Sequence, residues 1–203
     1  MQTRFIAIEG IDGSGGTTQV ALLARWLEAR GQRVHTTAEP SAGPVGRFLR
    51  EALRDPQQRV GDAVLPYLFA ADRRDHLDRE IMPRLEDGHC VISDRYLHSS
   101  LAYQSLVMGL AAVSELNARF RAPDLTLLLD LDPEVCLQRI LARGEPRDRF
   151  EALDRLRAVH DAYDGVVVLA RSRGERLVRV DASGSVDQVH ARVVAAVDEA
   201  LLA

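Results

Sequence analysis

The stretch FIAIEGIDGSGGTTQV, residues 5–20, joins an apolar run, a glycine-rich turn and the start of a helical pattern. The P-loop pattern G-x-x-x-x-G-K-[ST] fits Gly10, Gly15 and Thr17, but Gly16 stands at the lysine position. In such a loop backbone N–H groups converge on phosphate oxygens, and the following helix adds its positive dipole end. The stretch therefore predicts a phosphate-binding strand–loop–helix unit without its usual ammonium group.

The glycines and the threonine of this loop have distinct expected roles. We expect Gly10, Gly13, Gly15 and Gly16 to let the backbone curl, and Thr17 to offer its hydroxyl to a magnesium ion. A glycine-rich connection between a strand and a helix is also compatible with a plain turn. The loop alone leaves both interpretations open.

Composition limits the class of protein. A chain of 203 residues fits one domain, and a net charge of −4 gives no overall basic surface for nucleic acid. All 26 basic residues other than histidine are arginines. No apolar run is long enough to span a bilayer and the N-terminus leads directly into a strand, so we expect a cytoplasmic protein without a signal peptide. Cys90 and Cys136 have neither metal-ligand spacing nor disulfide density, and we expect buried thiols.

Apolar runs suited to buried strands alternate with helical patterns along the whole chain. The expected strands are 4–9, 33–37, 89–93, 124–131 and 176–181. This alternation predicts one α/β domain over residues 1–203, built on a mostly parallel sheet. RGEPRDRFE, residues 143–151, interrupts a helical pattern with six charged residues of nine and is expected to form a short arginine-rich lid.

Four further blocks carry a family resemblance: YLFAADRRDHL (67–77), VISDRYLHSSLAYQ (91–104), APDLTLLLDLDPEVCLQRILARG (122–144) and VDASGSVDQV (180–189). In this order and spacing they resemble bacterial thymidylate kinase, a P-loop nucleoside monophosphate kinase. The resemblance implies a P-loop NTPase-type three-layer sandwich with a five-stranded parallel sheet. It also implies transfer of the ATP γ-phosphate to dTMP with Mg²⁺, and a homodimer, for which the apolar helical face around 101–110 is a candidate.

The resemblance assigns the loop to the phosphoryl donor. The expected ATP-binding residues are Gly10, Ile11, Asp12, Gly13, Ser14, Gly15, Gly16, Thr17 and Thr18. Thr17 and Asp94 are the expected magnesium ligands, and Asp12 is also expected to meet the sugar 3′-hydroxyl of the acceptor. The lid arginines Arg143, Arg147 and Arg149 are expected to close over the donor phosphates.

The acceptor residues come from the second and third blocks and from the turn after the second strand. Phe69 and Arg73 lie one helical turn apart, so an aromatic face and a guanidinium can meet one planar base. A core phenylalanine with a solvated arginine is the alternative. Asp94 and Arg95 end a strand at the sheet edge where ligands bind in open α/β folds, although an ion pair that caps the strand is also possible. The resemblance adds Arg95 on the acceptor phosphate, Tyr103 against the sugar C2′, and Glu39, Ser99, Ser100 and Gln104 in the acceptor site.

Several positions depart from the family pattern, and two of them lose a basic side chain. Gly16 and Ala38 stand where relatives carry basic side chains, and phosphoryl transfer depends mainly on positioning and charge neutralisation. Three hypotheses therefore remain. They are an active dTMP kinase in which lid arginines replace the loop lysine, a nucleotide-binding relative without turnover, and a P-loop kinase for another deoxynucleotide or nucleoside.

Overall fold

A parallel sheet of five strands forms the centre of the protein, for which we describe a computed structural model over residues 4–55, 60–144 and 149–202. The strand order is β2-β3-β1-β4-β5, and every neighbouring pair is parallel. The strands are β1 (Phe5–Gly10), β2 (Val34–Ala38), β3 (Cys90–Asp94), β4 (Leu125–Asp130) and β5 (Leu177–Asp181). Each expected strand is thus confirmed to within one residue at each end.

Helices cover both faces of the sheet. The described ranges contain α1 (Gly16–Glu28), α2 (Pro44–Arg54), α3 (Leu65–His76), α4 (Met82–Glu86), α5 (Leu97–Tyr103), α6 (Ser105–Met108), α7 (Leu110–Leu116), α8 (Pro133–Leu141), α9 (Arg149–Ser172) and α10 (Val186–Leu202), with a π-helical turn at Leu77–Ile81 between α3 and α4. Helices α1 and α10 pack together over one face, and α5 and α9 pack over the other. The three-layer α/β prediction is confirmed.

The apolar runs form these strands because both faces of the sheet are covered. All of β1 is buried, and its side chains join one continuous core with those of β3 and β4. Cys90 and Cys136 are buried free thiols, as expected, and burial raises the pKa of Cys90 to about 11. No helix among the described residues is both long and apolar enough to cross a bilayer.

The sheet topology selects one edge for function. Strands β3, β1 and β4 are the three central strands, and their carboxyl ends lie at the same edge of the sheet. The strand order changes direction at this point. Ligands bind outside the carboxyl ends of strands at such a switch point. Two sequence features follow these strand ends directly, the glycine-rich loop after β1 and the pair Asp94–Arg95 at the end of β3.

Candidate active site

Three glycines shape the loop between β1 and α1. Gly10, Gly13 and Gly15 have φ angles of +154°, +88° and +104°, which side chains rarely adopt. A Cβ atom on Gly13 would lie 2.6 Å from the carbonyl oxygen of Cys136 in α8, so the loop backbone packs directly on that helix. Gly16 differs, because it is the first residue of α1 and has no positive φ. The expectation that Gly16 is needed for the curl of the loop is wrong.

Gly16 instead leaves room for Asp94. A Cβ atom at position 16 would lie 2.8 Å from Oδ1 of Asp94, closer than real Cβ contacts allow. The other carboxylate oxygen, Oδ2, accepts a hydrogen bond of 2.5 Å from the Thr17 hydroxyl. The two residues expected to bind magnesium therefore lie side by side beneath the phosphate loop.

Asp94 is an oxygen donor whose surroundings oppose its charge. Burial raises the pKa of its carboxyl group, and the hydrogen bond from Thr17 and the charge of Arg95 only partly offset this effect. A divalent cation would compensate such a carboxylate. Mg²⁺ binds few protein carboxylates and takes its other oxygens from water and phosphate. The donor set here, the Asp94 carboxylate beside the Thr17 hydroxyl, fits a Mg²⁺ ion that takes further oxygens from a phosphate ligand. The described residues contain no cluster of three or more His, Cys, Asp or Glu side chains that could hold a metal.

Arg95 connects the loop to helix α5. Its φ angle is +68°, uncommon for a residue with a side chain and typical of strained functional positions. Its guanidinium donates to the carbonyl of Gly10 at 2.7 Å, to Oδ1 of Asp12 at 2.7 Å and to the Ser99 hydroxyl at 3.1 Å. The partner of Arg95 is thus Asp12 in the loop, and no Asp94–Arg95 ion pair caps the strand. The guanidinium also lies 5.1 Å from the centre of the Tyr103 ring.

Arg73 is fully buried, which contradicts the alternative of a solvated arginine. It forms an ion pair of 2.6 Å with Glu39, whose side chain is also buried. It further donates to the Ser100 hydroxyl at 2.9 Å and to the Asn117 side chain at 2.5 Å. Helix α3, helix α5 and the turn after β2 are held together by this one side chain.

Several supporting residues were not expected from the sequence. Glu9 is a buried carboxylate inside β1 that accepts hydrogen bonds from the Tyr96 backbone, the Ser99 hydroxyl and the Tyr163 hydroxyl. His76 is also buried and lies 3.3 Å from Glu39 and 2.7 Å from the Thr37 hydroxyl. The chain separations of these contacts, up to 154 residues, leave no local pattern in the sequence.

Two adjoining cavities open at this edge of the sheet. The larger, about 750 Å³, is the P-loop cavity, and its walls include the loop, Asp94 and Arg143. The smaller, about 280 Å³, is the Arg73 cavity, and its walls include Glu39, Phe69, Arg73, Ser99, Ser100 and Gln104. Both cavities are lined by Asp12, Leu53, Arg95, Tyr103 and Arg155. Two ligands can therefore meet where the cavities join.

The Arg73 cavity retains free polar atoms. Within the described ranges, Nε of Arg73 and Oε1 of Gln104 are buried and have no hydrogen-bond partner. A buried donor or acceptor without a partner costs free energy. Together with the half-buried Phe69, they form a surface for a flat ligand with one acceptor and one donor.

The structure brings most of the predicted residues together. All nine expected ATP-binding residues line the P-loop cavity, and all the expected substrate-binding residues line the Arg73 cavity. In the lid only Arg143 can be placed, exposed at the P-loop cavity. Arg147 lies outside the described residues, and Arg149 begins α9 without a described side chain.

The model of the family described as thymidylate kinase matches residues 8–193. The chain belongs to the thymidylate kinase family. A probable thymidylate kinase of Pyrobaculum calidifontis is 42% identical over 97% of both chains. Thymidylate kinases of Caldicellulosiruptor saccharolyticus (35%, 99% of this chain and 98% of the relative) and Deinococcus radiodurans (38%, 98% of both) are also similar. Since archaeal and bacterial thymidylate kinases both match, the family is supported as a whole rather than its bacterial branch.

Proposed function

We propose that the protein transfers the γ-phosphate of ATP to dTMP, giving dTDP and ADP. Membership of the thymidylate kinase family supports the reaction. Two cavities that meet at the phosphate loop suit a donor and an acceptor nucleotide. We further propose that the protein works as a homodimer in the cytoplasm.

The assignment of the acceptor base rests on the two polar atoms of the Arg73 cavity that have no hydrogen-bond partner. Thymine presents a carbonyl oxygen beside an N–H group on one edge. The unpartnered Nε of Arg73 can donate to that carbonyl, and Oε1 of Gln104 can accept from the N–H. Phe69 offers an aromatic face to the ring. Cytosine has the opposite pattern on this edge, so its amino group would face the guanidinium donor.

The sugar and phosphate of the acceptor then fall at the junction of the cavities. Burial raises the pKa of Tyr103 to about 12, so the ring stays neutral and can pack against a deoxyribose where a ribose 2′-hydroxyl would be crowded. Asp12 is the acceptor for the sugar 3′-hydroxyl, and Arg95 binds the acceptor phosphate. Their ion pair of 2.7 Å fixes both groups before the nucleotide arrives.

The P-loop cavity holds the donor. Backbone N–H groups of the loop and the start of α1 bind the ATP phosphates, while Arg143 approaches from the lid side. Thr17 and Asp94 would hold Mg²⁺, which when bound neutralises charge on the β- and γ-phosphates. Position 16 contributes no charge to this chemistry. The missing charge at Gly16 favours a second candidate function, that of a nucleotide-binding protein without turnover.

ADP release with a panel of nucleoside monophosphates tests the proposal. We expect turnover with dTMP, and a kcat/KM for dUMP lower by about tenfold because the methyl group of thymine is lost. For dCMP we expect kcat/KM to be at least about 100-fold lower, since two donors would face each other. The ribonucleotide of thymine should also be a poor substrate.

Binding of dTMP without ADP release would support the second candidate instead. Equal rates for dTMP and dCMP would remove Arg73 and Gln104 from base recognition. The matched control is hydrolysis of ATP without an acceptor, which must be slow for ADP release to report phosphoryl transfer.

A further inference from the structure

The missing charge at position 16 raises the question of which cation replaces it. A cation that stabilises the transferred phosphoryl group must reach the place where donor and acceptor phosphates meet. Among described residues, the arginines that line the P-loop cavity are Arg95, Arg143 and Arg155. Arg143 lines only that cavity, whereas Arg95 and Arg155 line both.

Arg95 is already engaged. Its guanidinium binds Asp12, the Gly10 carbonyl and the Ser99 hydroxyl, so its position is fixed on the acceptor side. The other carboxylates at the P-loop cavity are also occupied. Glu9 is buried among Tyr96, Ser99 and Tyr163, and Asp94 is bound by Thr17.

Arg155 is not engaged in this way. It is an exposed residue of α9, outside the arginine-rich stretch 143–151, and no hydrogen bond or ion pair holds it within the part of the chain that the structure describes. Arg157, two residues further along the same helix, shows the contrast because it is paired with Glu134. Arg155 is therefore a charged side chain at the junction of both cavities with its five N–H donors still available.

We infer that Arg155 is a catalytic residue that bridges the donor γ-phosphate and the acceptor phosphate, and thereby supplies the positive charge that Gly16 lacks. This inference rests on the proposed function. The side chain acts from α9, opposite the loop, so it needs none of the space beside Asp94 that a side chain at position 16 would take. Its planar guanidinium can donate to oxygens of two phosphates at once. The ammonium group of a lysine is a compact point charge and is less suited to such bridging.

The test compares Arg155→Met, which removes the charge and keeps an apolar stem, with Arg155→Lys and with Arg157→Met as the matched control. We expect Arg155→Met to lower kcat by about 10²–10³, the usual effect of losing one donor at a developing charge. KM for ATP and dTMP should change by less than about threefold, Arg155→Lys should retain more activity, and Arg157→Met should match the parent. A kcat loss below about tenfold in Arg155→Met, or an equal loss in Arg157→Met, overturns the inference.

A binding experiment gives a second readout that does not require turnover. The probe is adenosine joined to thymidine through five phosphates, which spans both cavities, and calorimetry measures its Kd. Arg155→Met should raise the Kd of the probe at least about tenfold. The Kd of ATP alone or dTMP alone should rise by less than about threefold. An unchanged Kd for the probe overturns the inference. If the parent binds the probe but releases no ADP with dTMP, the proposed function fails, and the probe alone then decides the role of Arg155.

Discussion

At the scale of single residues, the proposed magnesium ligand Asp94 carries a cost in stability. Its carboxyl group is largely removed from water, and burial raises its pKa. The folded protein therefore holds the proton of Asp94 more tightly than the unfolded chain does. At neutral pH the charged group opposes folding until a cation reaches it.

We expect Asp94→Asn to raise the melting temperature of the nucleotide-free protein at pH 7, because the buried charge is removed. The gain should fade as the pH falls through the raised pKa of Asp94 toward the ordinary value of 3.8, since the parent carboxyl is then protonated too. ADP release should fall by at least about 10². Thermal melts across this pH range are the measurement.

Asp132→Asn is the control, for which we expect a change in melting temperature of the opposite sign. Hydrogen bonds at the start of α8 lower the pKa of Asp132, so its charge favours the folded state. Its replacement should lower the melting temperature at pH 7, and the loss should fade at low pH. A drop in melting temperature at pH 7 for Asp94→Asn as well would contradict the assignment of Asp94 as a destabilising charge.

At the scale of elements, the phosphate loop and helix α8 are fitted to each other. The φ of Gly13 and its contact with the Cys136 carbonyl leave no room for a side chain, and backbone cannot yield as a flexible side chain does. Gly31 has a similar φ of +77° but open space around it. A comparison of substitutions at these two glycines therefore distinguishes the cost of backbone strain, which both share, from the cost of a steric clash, which only Gly13 has.

We expect Gly13→Ala to weaken ATP binding at least about tenfold, because the loop must shift away from α8 and its N–H groups then miss the phosphates. The melting temperature should also fall further than in Gly31→Ala, which costs about 1–2 kcal/mol for the left-handed backbone alone. Calorimetric ATP titration and thermal melts provide the comparison. Equal effects of the two substitutions would show that the contact with α8 is unimportant.

Local patterns predicted the elements well and their cross-connections poorly. The five strands could be predicted because a sheet covered on both faces needs continuous apolar runs. Glu9 could not be assigned, since it interrupts such a run and its partners Ser99 and Tyr163 come from distant helices. The role of Gly16 is not predictable from the local sequence for a related reason, because Asp94, the side chain beside it, comes from another strand.

At the scale of the whole molecule, the proposed homodimer needs an exposed apolar face. Of the expected face 101–110, Leu101 is buried in the core, while Leu106 and Val107 of α6 are 48% and 54% exposed. Helix α6 follows α5, which carries Ser100 and Tyr103 at the Arg73 cavity. A dimer contact at α6 would therefore also support the proposed acceptor site.

We expect the parent to have twice the mass of one chain by light scattering, and the double variant Leu106→Asp, Val107→Asp to be monomeric, because an interface does not tolerate unpaired carboxylates. Val168→Asp on α9 is the control, since Val168 is 67% exposed and apolar but lies elsewhere. A monomeric parent would contradict the homodimer. Dissociation by Val168→Asp alone would place the interface on α9.

The buried ion pair between Glu39 and Arg73 has a consequence for how the sequence can change over time. Removal of either partner from such a pair typically costs about 3–5 kcal/mol, so selection for folding alone would keep both residues. Asp12, Thr17 and Arg155 are exposed and carry no comparable structural duty. In descendants that lost catalysis, the buried pair would persist while these three positions drifted. We therefore expect the exposed positions, to which we assign roles in phosphoryl transfer, to record selection for that reaction.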